Sequence, residues 1–200
     1  MKHNIFIGLV LLLSVLVSSG CSDKATEKPA GSSNTATPSG ITPQQMADAL
    51  QTVINADRVA YTKFIVNRLA VEEKVIKASE HWKDDKALLL PAQLFRAGSE
   101  IAQDSGAKFS YALLSPWPLN THNKPKTDME KSGLDFIVKN PNKNFYGEEK
   151  LGGTRYFTAV YPDVAVVDSC VDCHNNHKDS PRTDFKLGDV MGGVVIRIPL

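Results

Sequence analysis

Three runs in the second half of the chain, Phe145–Leu151, Arg155–Tyr161 and Val190–Ile198, constrain the fold more than any other feature of the sequence. Each has the length and composition of a strand, and Gly152-Gly153 joins the first two as a hairpin, which makes that pair antiparallel. Lys108–Leu114 reads as a further strand, broken by Ser115-Pro116-Trp117-Pro118-Leu119-Asn120. Asp128–Val138 reads as a short helix capped by Thr127 or Asp128, and Asn140-Pro141-Asn142 as a turn. Helical patterns precede all of this. Helices first, then strands interrupted by a helix, indicate an α+β domain built on one antiparallel sheet.

The first helix is well signalled. Thr42 can cap it, Pro43 suits its first position, and Gln45 completes a capping box. Met46, Leu50, Val53, Ala60, Tyr61, Phe64 and Leu69 recur at helical spacing, with Arg58, Lys63 and Arg68 off that stripe. Continuation through Val75 and Ile76 to about Ala78 gives one long helix or two. Such a helix either covers the domain's own core or pairs with a second copy of itself as a homodimer. A connection containing His81 and Trp82 leads to a second helix, Pro91–Ser105, with Leu94, Phe95 and Ile101 expected to face the core and Gly106 to end it.

The chain begins with Lys2, an apolar run from Ile5 to Val17, and small residues Ser18, Ser19 and Gly20 before Cys21. Charge, apolar core and small-residue cleavage site in that order form a signal peptide, residues 1–20. The run is shorter than the roughly 20 apolar residues that a bilayer span needs. Cys21 stands where a lipoprotein carries its lipid, although Ser18 replaces the usual leucine three places earlier; the other reading is ordinary cleavage near Gly20. Ser22, where an aspartate is absent, directs such an anchor to the outer membrane if that sorting rule applies. Residues 21–40, rich in Ser, Thr, Gly and Pro, bury too little apolar surface to fold and read as a flexible tether. Residues 41–200 have the length of one domain, and the formal net charge of +1 gives no case for nucleic acid as a partner.

Cys170-Val171-Asp172-Cys173-His174 carries the chemistry. Two thiols three positions apart can add to the two vinyl groups of one protoporphyrin, and the histidine after the second can reach the iron from below: the c-type haem attachment pattern. Of the three cysteines, a lipid at Cys21 and the haem account for all, leaving none for a disulfide. Two other uses of the pair compete. A thioredoxin-like dithiol needs a strand–pair–helix order within a βαβ unit, which the surrounding pattern lacks. A structural zinc site needs four ligands, and only His174 and His177 accompany the thiols nearby.

Cys170 through His177, then Lys-Asp-Ser-Pro-Arg-Thr-Asp-Phe-Lys-Leu-Gly-Asp-Val-Met to Gly192, and Ile196-Arg197-Ile198-Pro199-Leu200, closely resemble the C-terminal signature of a bacterial single-haem-c family. Ser115–Asn120, Asn123-Lys124-Pro125 and the Asp128–Phe136 helix resemble its middle section, so the resemblance covers roughly Thr42–Leu200. It implies a PAS-like fold, found both in stand-alone exported proteins and in sensor modules. By resemblance, Cys170 and Cys173 are the thioether attachment points of one haem c and His174 is the proximal iron ligand. The sixth iron position has several candidates: His81, His122 and His177 as imidazoles, Met46, Met129 and Met191 as thioethers. His122, in an irregular Pro- and Asn-rich segment, is preferred, against its reading as a solvent-facing loop histidine. His177 reads instead as a hydrogen-bond partner of a propionate or of the backbone.

Gly188, Gly192 and Gly193 allow tight turns or close approach to a porphyrin. Arg182 and Lys178 are either propionate partners or simply solvated; Tyr156, Phe157 and Tyr161 line the haem pocket or pack the sheet core; Asp184 and Asp189 are turn and capping residues. No acid–base or nucleophile constellation indicates an enzyme. The expectation is a periplasmic, membrane-anchored haem protein working by electron transfer with a periplasmic redox partner, or by redox or gas sensing through a signalling partner.

Overall fold

The chain's structure, a computed structural model, describes residues 40–200. The signal peptide, Cys21 and the tether up to residue 39 lie outside the described residues. Helix α1, Pro43–Ala60, starts with a reciprocal cap: the Gln45 N–H donates to Thr42 Oγ1 at 3.1 Å, and the Thr42 N–H donates to Gln45 Oε1 at 2.9 Å. It continues as a π-helix, with wider turns, over Tyr61–Glu72. The expected extension to Ala78 does not form; the chain leaves the helix after Glu72, and Lys74 takes a positive φ of 55°.

The face that α1 buries also differs from expectation. Ala47, Leu50 and Ile54 meet the sheet, whereas Val53 and Phe64 are 62% and 64% exposed and Met46 is exposed too. Arg58, placed off the stripe by sequence, faces inward, followed by Thr62 and Val66 on the same line. Steps of three and four residues pass through either set, and only packing chooses between them. Small Ala47 lets the helix approach the sheet closely.

Helix α2, Pro91–Asp104, buries Phe95 and Ser99, while Ile101, expected inside, is exposed. Gly106, at φ 85°, takes the chain out of it. The strands are β1 (Ser110–Leu114), β2 (Phe145–Leu151), β3 (Thr154–Val164) and β4 (Val190–Pro199), in the order β1-β4-β3-β2. Every pairing is antiparallel; Tyr111 and Ala159 flank Ile196, and Gly152 and Gly153 turn the β2–β3 hairpin at positive φ. β3 runs three residues beyond the expected Tyr161, with a register shift at Asp163/Val164.

Alternation sorts the strands onto two packed faces. Ala159, Tyr161, Val194, Ile196 and Ile198 point to α1 and α2. Leu114, Val160 and Val195 point to helix α3, Asp128–Lys139, through its Leu134 and Ile137. β4 is therefore buried on both sides. Gly193 is explained by this packing and not by a porphyrin: an added Cβ would stand 2.8 Å from Ile137 and 2.9 Å from Leu134.

The α3 side also holds a buried charged network. Arg197 donates from Nη2 to Glu130 Oε1 and from Nε to Glu149 Oε1, both at 2.7 Å, and Thr158 donates to Glu149 at 2.8 Å. The backbone N–H groups of Lys126 and Thr127 donate to Glu130 Oε2, closing the capping box of α3. Burial alone would raise the Glu130 pKa, but these N–H groups and Arg197 hold it below its usual value.

Candidate functional site

β3 and β4 are neighbours in the sheet, and the chain between them makes one excursion that carries the Cys-x-x-Cys-His segment. Its base is pinched by two backbone bonds, Ala165 N–H to Asp189 O and Gly188 N–H to Ala165 O, both 3.0 Å. Helix α4, Asp168–Asn176, rises from this base with an acidic residue in its first turn, where the helix dipole favours it. None of its residues is fully buried, so α4 lies on the protein's surface. Ser169 Oγ donates to Asn67 Oδ1 at 2.8 Å, tying α4 to the π-helical segment.

Cys170 and Cys173 are one helical turn apart on α4, and both are free thiols. Cys170 and Val171 pack against three buried residues, Ala165, Phe185 and Met191, a cluster that Trp117 also covers. Cys173 is exposed, yet enough protein surrounds its sulfur that desolvation raises the thiol pKa, with Cys170 and Glu80 adding to the effect. His174 follows, its ring edge-on to Phe185 at 6.1 Å and 88°. Burial first, then the charges of His177 and Arg58, lower its pKa, so the imidazole is neutral at neutral pH, as a metal ligand must be. Its Nδ1 is buried without a hydrogen-bond partner.

Asn175 holds this arrangement together, a role the sequence did not announce. It donates from Nδ2 to Phe185 O at 2.9 Å and accepts from the Phe185 N–H at 3.0 Å, fastening the returning loop to α4. Arg182 is neither solvated nor free. Its guanidinium lies 4.5 Å from the Trp117 ring centre and 4.3 Å from that of Phe185, with Asp184 Oδ1 at 2.7 Å from Nε. That hydrogen bond chiefly lowers the Asp184 pKa. Asp189 accepts from the Lys186 N–H in the turn.

The other named residues fall elsewhere. His122 is exposed on a 3₁₀ turn, Thr121–Asn123, with its Nδ1 2.9 Å from Asn120 Oδ1. His81 is exposed in the turn after the π-helix. His177 Nδ1 accepts from the Asp179 N–H at 3.2 Å, and its Nε2 faces Glu80 at 3.3 Å. Met129 lies over Gly147 on the α3 side of the sheet. Met191 is the methionine that packs with the α4 residues. Phe157 and Tyr161 belong to the sheet core, where Tyr161 donates to Asp48 at 2.7 Å. Among the described residues no three His, Cys, Asp or Glu side chains converge to hold a metal ion. The antiparallel β3–β4 pair around α4 is also not the βαβ setting of a thioredoxin-like dithiol. What the site presents is two thiols and one neutral imidazole beside an aromatic, apolar wall, a donor set suited to a flat apolar cofactor with a metal centre.

Fold and site define an α+β protein that carries a Cys-x-x-Cys-His helix between the central strands of a four-stranded antiparallel sheet. The chain belongs to the Tll0287-like family (Tll0287), which matches residues 39–199. Its fold is similar to the crystal structure of the cyanobacterial heme-protein Tll0287, at 15% sequence identity and a TM-score of 0.50, over 79% of this chain and 96% of that chain. No curated protein matches the sequence.

Proposed function

We propose that the chain is a single-haem c-type protein that passes electrons, with haem joined through thioethers to Cys170 and Cys173 and with His174 as proximal iron ligand. The observation that carries this is the Nδ1 of His174, buried without a hydrogen-bond partner, next to two free thiols on one surface helix. The family relative with the same fold is a heme-protein. Haem bound here supplies one-electron oxidation and reduction. His174 offers the ligand nitrogen, Asn175 holds the backbone of Phe185, whose ring meets His174 edge-on, and Met191 and Trp117 keep that side dry. Surface placement of α4 favours electron transfer, because a carrier needs its cofactor within reach of a periplasmic partner. The Ser169–Asn67 bond supports a second reading, redox or gas sensing through a PAS-like domain, since it links the motif to the long helix.

Signal peptide cleavage and lipidation of Cys21 would hold the protein at the periplasmic side of a membrane, in the outer membrane by the Ser22 rule. Among the described residues no helix is long and apolar enough to cross a membrane. Expression with the cytochrome c maturation machinery should give a red protein whose intact mass equals the processed chain plus one haem and a diacylglyceryl group. Colourless protein of bare polypeptide mass would end this reading. Carbon monoxide then distinguishes the two uses. Resistance of the reduced form indicates a sixth ligand from the protein, for which His122 is the preferred candidate, and rapid binding indicates an open, sensing site.

The partner at the long helix is a second copy of the chain. Ala49, Val53, Ala56 and Ala60 are all exposed at the alternating four- and three-residue spacing of a coiled-coil seam, and exposed Phe64 follows in the π-helical segment. An antiparallel pairing centred on Ala60 sets Asp57 opposite the partner's Lys63. Light scattering should give a dimer mass for the native chain and a monomer mass for Val53→Asp; a native monomer at micromolar concentration overturns this.

A further inference from the structure

A cavity of about 380 Å³, open to solvent, lies between α1, the turn before β2 and the end of β3. Asp48, Gln51 and Thr52 line it from one face of α1, at the spacing of helical neighbours. Asn144 approaches from the turn, and Pro162 and Val164 come from β3, on either side of Asp163. Among the residues that line the cavity Asp48 is the only charged one, so no lining cation balances it. The Asp48 carboxylate is held from one side. The Tyr146 and Tyr161 hydroxyls both donate to its Oδ1, at 2.9 and 2.7 Å. Burial, and then Asp48 itself, push the Tyr161 phenol above its usual pKa, so it stays a donor. Oδ2 takes no hydrogen bond from the described residues. Gln51 Oε1, one helical turn on, is buried without a partner, and the last torsion of a glutamine is soft enough to turn it toward a donor in the cavity. Thr52 donates its hydroxyl proton to Asp48 O at 2.9 Å, which leaves its oxygen as an acceptor.

The cavity is thus rich in acceptors, carries one negative charge steadied by two phenols, and has an apolar wall in Pro162 and Val164. We propose that it binds a small organic ammonium ion, whose N–H groups meet Asp48 Oδ2, Gln51 Oε1 and Thr52 Oγ1 and whose short carbon chain lies on Pro162 and Val164. A primary ammonium brings three donors and one positive charge, and no acceptor that would compete with the oxygens around it. The volume falls at the small end of the range for small-molecule sites. A calcium ion, which takes about six to eight oxygen ligands, is a poorer occupant beside a single carboxylate. The cavity shares no residue with the Cys-x-x-Cys-His site, and the proposal does not depend on the haem reading.

Titration calorimetry of the purified chain with n-propylammonium chloride tests this, with tetramethylammonium chloride and calcium chloride as the other probes. The native chain should bind n-propylammonium saturably, in the millimolar range expected of so small a ligand. Tetramethylammonium has the same charge but no N–H, and should bind at least about tenfold more weakly. Asp48→Asn keeps an oxygen for both tyrosines and should weaken n-propylammonium binding at least about tenfold, and Gln51→Leu about threefold, with far-ultraviolet circular dichroism unchanged. No saturable binding by the native chain overturns the proposal. So do equal binding of the two ammonium ions, undiminished binding by folded Asp48→Asn or by Gln51→Leu, and calcium binding that excludes n-propylammonium. Colourless protein that still binds n-propylammonium overturns the haem reading alone.

Discussion

Arg197→Met should lower the unfolding free energy by about 3–5 kcal/mol at neutral pH, the cost of leaving buried carboxylates without their cation. Arg197 is shared by Glu130 and Glu149, whose side chains are 7% and 9% exposed, and among the described residues no other cation pairs with either. Chemical denaturation of native and variant chains measures the loss. Its pH dependence follows from Glu130, whose pKa is depressed in the folded state. A depressed carboxyl stabilises the fold above its unfolded pKa, and that contribution is lost as pH falls through the folded value. In Arg197→Met the Glu130 carboxyl regains its proton at higher pH, so the gap between native and variant should narrow under acid. A gap independent of pH, or a loss below about 1 kcal/mol, places the network among exposed ion pairs.

The second large effect is chemical. Replacing Cys170 and Cys173 together with alanine should abolish covalent haem, read as loss of haem staining on a denaturing gel, because no other thiol remains among the described residues. The apoprotein should stay folded. α4 has no fully buried residue, and only Cys170 of the pair packs against the neighbouring cluster, so the thermal midpoint should move by a few degrees at most, as for about 1 kcal/mol. Haem stain surviving in the double variant sinks the thioether assignment.

Local chemistry made much of the fold legible. The Thr42 cap, the glycine pair between β2 and β3, Gly106 after α2 and the Thr127 cap of α3 each act within a few residues, and each stands where the sequence puts it. The face of α1 was not legible, because Ala47 and Val53 both suit a helical stripe and only contact with the sheet separates them. At the site, the thiols and His174 announced themselves by spacing. Asn175 and the stacking of Arg182 on Trp117 did not, since their partners lie on distant segments. A weak signal did exist for the inward-facing Arg58 of α1: it falls four residues after Ile54 and four before Thr62, on the line that α1 buries.

The placement of β4 governs the order of assembly. Tyr111 must find Ile196, and Ala159 must find the same residue from the other side, so the middle of the sheet is contributed by the final stretch of polypeptide. Pairings this remote in sequence form slowly, because the closure entropy of the intervening loop has to be overcome first. Until that last strand inserts, β1 has no neighbour in the sheet and α4 hangs from an unfinished hairpin. Insertion of β4 therefore completes the sheet and pinches the base of the α4 excursion in one step.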